Sequence, residues 1–318
     1  MLWLTDTGKY TYNECPERRH LKGTLAHNTL RVDGQDQTPY RDRMSFATEL
    51  SYRTRTFVEQ PDYTFFDGEH YGYRRLPMAV DHRRQVIWIR GAGVLVIDRV
   101  TGSGAHLYEQ CWHIPGTGGA RLAGAPFDSA VTREELRRPH ATELSLRLNG
   151  EPAAERPGAG VFTLTREPGV LVLVPAVRGS GTHGDETLAQ LSRTWHAPAY
   201  GEQVPGLLLR YSRRAVPPVF MATWIELADN ELDPSASAGP TGYAVTVETA
   251  AEADGAASDA GTGGPVGAED LDTQSTPRRS PEERAAGHSS ERLVCRIRRP
   301  GGDYRVVVDE EVHALEQM

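Results

Sequence analysis

The sequence predicts a mainly β fold: a large antiparallel sandwich, interrupted late by a long low-complexity insertion expected to be disordered. Three observations carry that expectation. Apolar residues recur with a period of two along most of the chain, the signature of half-buried strands. Glycine and proline are plentiful, 32 and 21 in 318 residues, and fall between the alternating runs. A stretch near the carboxyl end is nearly free of aromatics. A chain of this length can bury a sizeable core, as one large β domain or two smaller ones.

Taken in order, Leu30-Arg31-Val32 runs into Asp33-Gly34, a dipeptide suited to a tight hairpin because both positions tolerate positive φ. Residues 44–52 alternate as a strand. Residues 86–90 and 94–100 flank Gly91-Ala92-Gly93 and form a second hairpin. Further strands are expected at 105–114, 143–148, 161–166, 170–177, 206–212 and 219–227, spaced as in a sandwich rather than a βαβ fold. Helical periodicity is confined to 129–136 and 187–191.

Composition changes near Asp229. The next stretch is rich in Ala, Gly, Ser, Thr, Pro and acidic residues. It lacks the apolar surface to offset roughly 1–2 kcal/mol of backbone entropy per ordered residue. The expected organisation is therefore a sandwich over 1–230, a largely disordered segment over 231–291 with one possible strand at 243–248, and a terminal hairpin over 292–318 packing back on the sandwich. Pro300-Gly301-Gly302 supplies the turn of that hairpin.

A net charge of −8 argues against nucleic acid as a partner, since no basic surplus is available to neutralise phosphates. Cys15, Cys111 and Cys295 are too far apart to define a disulfide framework or a CxxC metal site. No apolar run approaches the roughly 20 residues of a membrane span. The opening residues carry no signal-peptide pattern, so a cytoplasmic location is the default, and they read as the end of a strand.

Three patterns carry more information. The first is Leu4-Thr5-Asp6-Thr7-Gly8-Lys9-Tyr10-Thr11-Tyr12. The second is Gly23-Thr24-Leu25-Ala26-His27-Asn28-Thr29-Leu30, continuing through Asp33-Gly34 to Gln37. The third is Trp195-His196-Ala197-Pro198-Ala199-Tyr200-Gly201-Glu202. A carboxylate at Asp6 and an imidazole at His27 on neighbouring strands, about 4.8 Å apart, can converge on a small ion. Zinc accepts such a mixed oxygen and nitrogen set, usually with a third protein ligand and a water. Read without further context, His27 is a core histidine and Asp6 a turn residue before Gly8. Tyr10 and Tyr12 read as strand packing. His106 and His113, seven apart on one strand, face opposite sides and suit separate hydrogen bonds. His82, beside Arg83 and Arg84, reads as a solvated turn, and Trp3, Trp88, Trp112, Trp195 and Trp224 as core.

Together these patterns resemble the β domain of the heparinase II/III-like polysaccharide lyases, in matching order over about residues 2–227. The resemblance implies a supersandwich-like domain that follows an α/α toroid. It also implies a metal site of His, Asp and His, with Asp6 and His27 as two ligands and the third upstream of Leu2. The chemistry implied is β-elimination on an acidic, uronic-acid-containing polysaccharide of glycosaminoglycan or alginate type. Base and acid come largely from the toroid, so no catalytic residue is assigned in this chain. The toroid is then expected to be lost, separately encoded, or cut off by a misassigned start. Family members often work in the cell envelope. Two other readings stand beside this one: a non-catalytic glycan-binding or scaffold module, and a glycosidase drawing carboxylates from Glu49, Glu59 or Asp62.

Overall fold

The computed structural model describes residues 2–116, 120–122, 125–126, 154–157, 161–166, 169–180, 187–229, 243–250 and 292–318. The helix expected at 129–136, the strand expected at 143–148 and the low-complexity run at 251–290 lie outside the described residues. Within the described residues the chain is mainly antiparallel β structure, with short helical turns in its first quarter.

After an irregular opening segment comes one helix, α1 (Pro16–Lys22). Its composition reads as a charged loop. Pro16 nevertheless suits the first helical turn, and the Cys15 Sγ caps the Arg18 N–H at 3.4 Å. Strand β1 (Leu30–Val32) ends in the expected two-residue turn, with Asp33 at φ 49° and Gly34 at φ 67° and a bridge from Val32 to Gln35.

Residues 44–52 do not form the expected strand. The Asp42 carboxylate accepts from the Met44 and Ser45 N–H groups, curling the chain locally, and leaves an isolated bridge between Tyr40 and Phe46. Pairing begins instead at Tyr52, with β2 (Tyr52–Glu59), β3 (Tyr63–His70), β4 (Val80–Ile89) and β5 (Gly93–Gly102) forming a meander. Then follow β6 (His106–Pro115), the short β7 (Ala120–Leu122), β8 (Ala125–Pro126) and β9 (Ala154–Pro157), β10 (Phe162–Arg166) and β11 (Gly169–Ser180).

Strand β12 (Leu188–His196) replaces the helix expected at 187–191. Its Leu188–Leu191 segment is hydrogen-bonded on both sides, to β9 and to the next strand, so ladder pairing overrides a weak local period. That next strand, β13 (Val204–Asp229), joins two expected strands into one.

Strand β13 organises the molecule. Its first half pairs with β6 and β12, to which β1 and β9 add; its second half pairs with β5 and β11 in the order β2-β3-β4-β5-β13-β11-β10-β7-β8. Pro217 and Pro218, which donate no ladder hydrogen bond, sit where it leaves one sheet for the other. A core including Leu30, Tyr108, Ile114, Val96, Leu173, Leu209 and Met221 fills the space between the two sheets.

A third layer covers the other face of the middle sheet. It is a four-stranded sheet of β14 (Ala244–Thr249), β15 (Leu293–Arg298), β16 (Tyr304–Val308) and β17 (Val312–Gln317). Along β5, Val96 and Val100 join the first core, while Leu95 and Ile97 join a second with Trp224, Val245, Ile297 and Val306. That two-sided burial explains the nearly continuous apolar run at 94–100. Charges at the second interface are paired: Arg83 grips Asp67 and donates to the Asp309 carbonyl at 2.7 Å, and Arg299 holds Glu226 at 2.8 Å.

Candidate metal centre

The segment carrying Asp6 is not a strand; it is pinned in place by side chains. The Asp6 Oδ1 accepts from the Gly8 N–H at 2.9 Å, a tight turn made possible by Gly8 at φ +79°. A Cβ at Gly8 would lie 2.2 Å from the Ala197 carbonyl oxygen, because Gly8 and Ala197 pair in a parallel bridge. Ala197 donates its N–H to the Thr7 carbonyl at 2.7 Å, and the buried Thr7 hydroxyl donates to the Ala26 carbonyl at 2.8 Å. All three sequence patterns thus meet at one place.

Asn28 closes the arrangement. Its Nδ2 donates to the Thr5 carbonyl at 3.0 Å, and its Oδ1 accepts from the His113 N–H at 2.6 Å. The Thr5 N–H in turn donates to the His113 carbonyl at 3.0 Å. The second sequence pattern contains Asn28 but does not mark it as a clamp. The available signal was its amide, which can donate and accept at once, directly after His27.

These clamps bring the Asp6 Oδ2 to 2.6 Å from the His27 Nδ1. Both side chains are partly open, 57% and 38% exposed. Desolvation pushes the Asp6 carboxyl up, but the His27 hydrogen bond, the Gly8 N–H and the charges of His27 and His113 outweigh it and hold the carboxyl below its ordinary value.

Other imidazoles stand behind the pair. His113 donates from Nε2 to the Leu25 carbonyl at 2.8 Å, and its ring centroid is 6.1 Å from that of His196. Burial pushes His113 down to about 3 and His20 down to about 4, with the charge of His27 acting in the same direction. Both are neutral near pH 7.

Two chemistries suit this geometry. With the Nδ1 proton given to Asp6, the His27 Nε2 lone pair is open to a ligand or a proton, and Asp6 acts as the orienting carboxylate. Alternatively both side chains ligate one ion. Two ligands on a tetrahedral zinc lie roughly 3.3 Å apart, so the pair must spread from its hydrogen-bonded contact to admit one. The donor types fit zinc, but no group of three His, Cys, Asp or Glu side chains able to hold a metal occurs among the described residues.

The remaining sequence expectations divide. His106 bonds to Asp33 at 2.5 Å, so the two β6 histidines do make separate hydrogen bonds. His82 is not in a solvated turn. It is buried on β4 against Asp98, since period-two alternation turns it inward between the half-buried Asp81 and Arg83. Trp112, Trp195 and Trp224 are core, whereas Trp88 is 46% exposed. Tyr10 meets Trp195 edge-on, and Tyr12 lies against Lys9 and Tyr200 outside any strand. Glu59 is paired with Arg90 at 2.9 Å.

The family model described as heparinase II/III-like, C-terminal, matches residues 1–220. The chain belongs to the heparinase II/III-like family. Solved structures share the fold of this heparinase II/III-like domain. The heparan sulfate lyase HepC from Pedobacter heparinus is 13% identical, with a TM-score of 0.56, over 98% of this chain and 35% of its own length. A structure of heparinase III is 11% identical, with a TM-score of 0.52, over 96% of this chain and 34% of its own. The chain therefore spans about a third of the length of those lyases. No curated protein matches. Among the described residues no helix is long and apolar enough to cross a membrane.

Proposed function

We propose that this chain is the β half of a polysaccharide lyase that acts by β-elimination on uronic-acid-containing polysaccharides, and that it does not turn over substrate by itself. In that reaction a base removes the proton beside the sugar carboxylate, the bond to the leaving glycosidic oxygen breaks as a carbon–carbon double bond forms, and an acid protonates the departing oxygen. No side chain of this domain is assigned to either step. Its contribution is the rim: Asp6 and His27 are two donors of a zinc site whose third ligand lies outside the described residues, and the ion orders the loops beside the cleft. A helical toroid half supplies the opposite wall.

The observation that supports this reading is the 2.6 Å contact of Asp6 with His27, held by three separate sequence patterns in a family of lyases. The test is to incubate the purified chain with heparan sulfate, alginate and hyaluronan and follow the absorbance of unsaturated uronate. No turnover is expected, and robust turnover overturns the claim that catalysis is incomplete. Metal analysis is the companion measurement. Zinc retained by the parent chain, or by the chain joined to a toroid, should fall at least tenfold in affinity in Asp6→Ala and in His27→Ala. Unchanged zinc content in both variants removes the pair from the metal site.

A further inference from the structure

The middle sheet reaches beyond the layer that covers it. On β3, Phe66, Gly68 and His70 alternate onto one face, and their cross-strand partners Phe57, Thr54 and Tyr52 on β2 share it. Phe65 and Asp67, on the opposite face, are fully buried, whereas Tyr52 is 74% and Phe66 37% exposed. Here the sheet forms an open shelf, and Thr29 and Gln37 stand beside it to bound an open cavity of about 270 Å³.

The cavity has a built floor. A Cβ at Gly68 would lie 2.8 Å from the Phe66 Cζ, so the ring rests on a strand position without a side chain. Its inner wall is fixed in protonation and charge. The His70 Nδ1 accepts from the Gly72 N–H at 3.3 Å, so its Nε2–H must donate to the His82 Nδ1 at 2.9 Å. The His82 Nε2–H then donates to Asp98 at 2.7 Å. No ring nitrogen of His70 is left to transfer a proton to a ligand, which makes this a place for binding rather than chemistry. Arg84 is held in a bidentate pair with Asp98 at 2.7 Å and by the Asn28 carbonyl. Glu69, also in the lining, is held by Arg55 at 3.2 Å and by the Tyr71 hydroxyl at 2.6 Å, and the exposed Arg53 completes it. Beside these, the side chains of Thr29, Gln37 and Thr54 make no hydrogen bond among the described residues.

We propose that this cavity is a subsite for a single pyranose ring, stacked on Phe66 and Tyr52 and hydrogen-bonded through its hydroxyls to Thr29, Gln37 and Thr54. A pyranose presents an apolar C–H face and a rim of hydroxyls, which matches an aromatic floor beside unpaired polar groups. The volume is below the range typical of drug-sized ligands, and so suits one ring. The proposal rests on the reading that the domain handles polysaccharide, but it concerns residues separate from Asp6 and His27.

The test is saturation-transfer NMR with calorimetry on the full chain, using methyl β-glucoside and sodium glucuronate as probes. Both sugars should bind weakly, with the strongest transfer to the ring C–H protons, and any advantage of glucuronate from the exposed Arg53 should fall on adding salt. Phe66→Ala should weaken both roughly tenfold, and Gly68→Val, which drives the ring off its floor, should do the same. Gln37→Ala provides a readout that leaves the floor intact, and weaker binding is expected there too. Three results overturn the subsite: no transfer to either sugar at high concentration, binding of glucuronate alone, or parent-like binding in all three variants. Asp6→Ala should leave sugar binding intact. Lost zinc with retained sugar binding thus faults a different claim from retained zinc with lost sugar binding.

Discussion

At the scale of residues, Asn28 governs whether Asp6 and His27 meet. Its amide satisfies a backbone carbonyl of the opening segment and a backbone N–H of β6 together. Asn28→Ala leaves both part-buried partners short and should cost about 1–3 kcal/mol in denaturant unfolding. Asn28→Asp keeps the acceptor and should restore part of that. Gly8→Ala meets both a left-handed φ and the Ala197 carbonyl, so a loss of at least about 1–3 kcal/mol is expected. If either variant unfolds at the parent midpoint, the opening segment is not held as described. The local motif made Asp6 and His27 legible because type and order could be read directly. The clamp was not legible, because its partners Thr5 and His113 are 23 and 85 residues away from Asn28.

At the scale of elements, the shared strand makes the first two layers one cooperative unit. Leu209 lies in the half of β13 that pairs with β6, and Met221 in the half that pairs with β5, yet both point into the same core. Leu209→Ala and Met221→Ala should each cost about 2–5 kcal/mol. Each should also shift a single urea transition, seen identically by tryptophan fluorescence and far-ultraviolet dichroism. Two separated transitions would show that the sheets unfold independently. Both halves of β13 were visible as alternating runs, but their fusion was not, since the residues between them include two prolines that read as a break. Likewise a run as short as 187–191 has too few residues for its period to be decisive, and pairing with β9 and β13 decided it.

For the whole molecule, acid is the informative perturbation. Burial first, then neighbouring charge, lowers His113 and His70 to about 3 and His20 to about 4, while the unfolded chain binds protons on each below about 6.5. The unfolded state therefore takes up more protons as pH falls, so their contribution is complete above about 6.5 and is lost on the way down to the lowered values. For the fully buried His113 the loss by about pH 4.5 is on the order of 2–3 kcal/mol. Asp6 and Asp98 are also held low, Asp98 by Arg84 and His82 against strong desolvation, and they add to the loss below about pH 4. The melting temperature should be level near neutrality and fall steadily below about pH 6. A flat or rising profile on acidification would contradict the buried neutral histidines.

By itself the sequence determined the β class, the Asp-Gly turn after β1 and the Gly91–Gly93 hairpin, and its motif order marked Asp6 and His27 as a candidate pair. All of these are written in short-range alternation, turn chemistry or motif order. Alternation says which side chains face apart, but not what covers each face. Which sheet face the late strands cover, the inward turn of His82, the Asn28 clamp and the open shelf at Phe66 were therefore decided only when strands distant in sequence packed together.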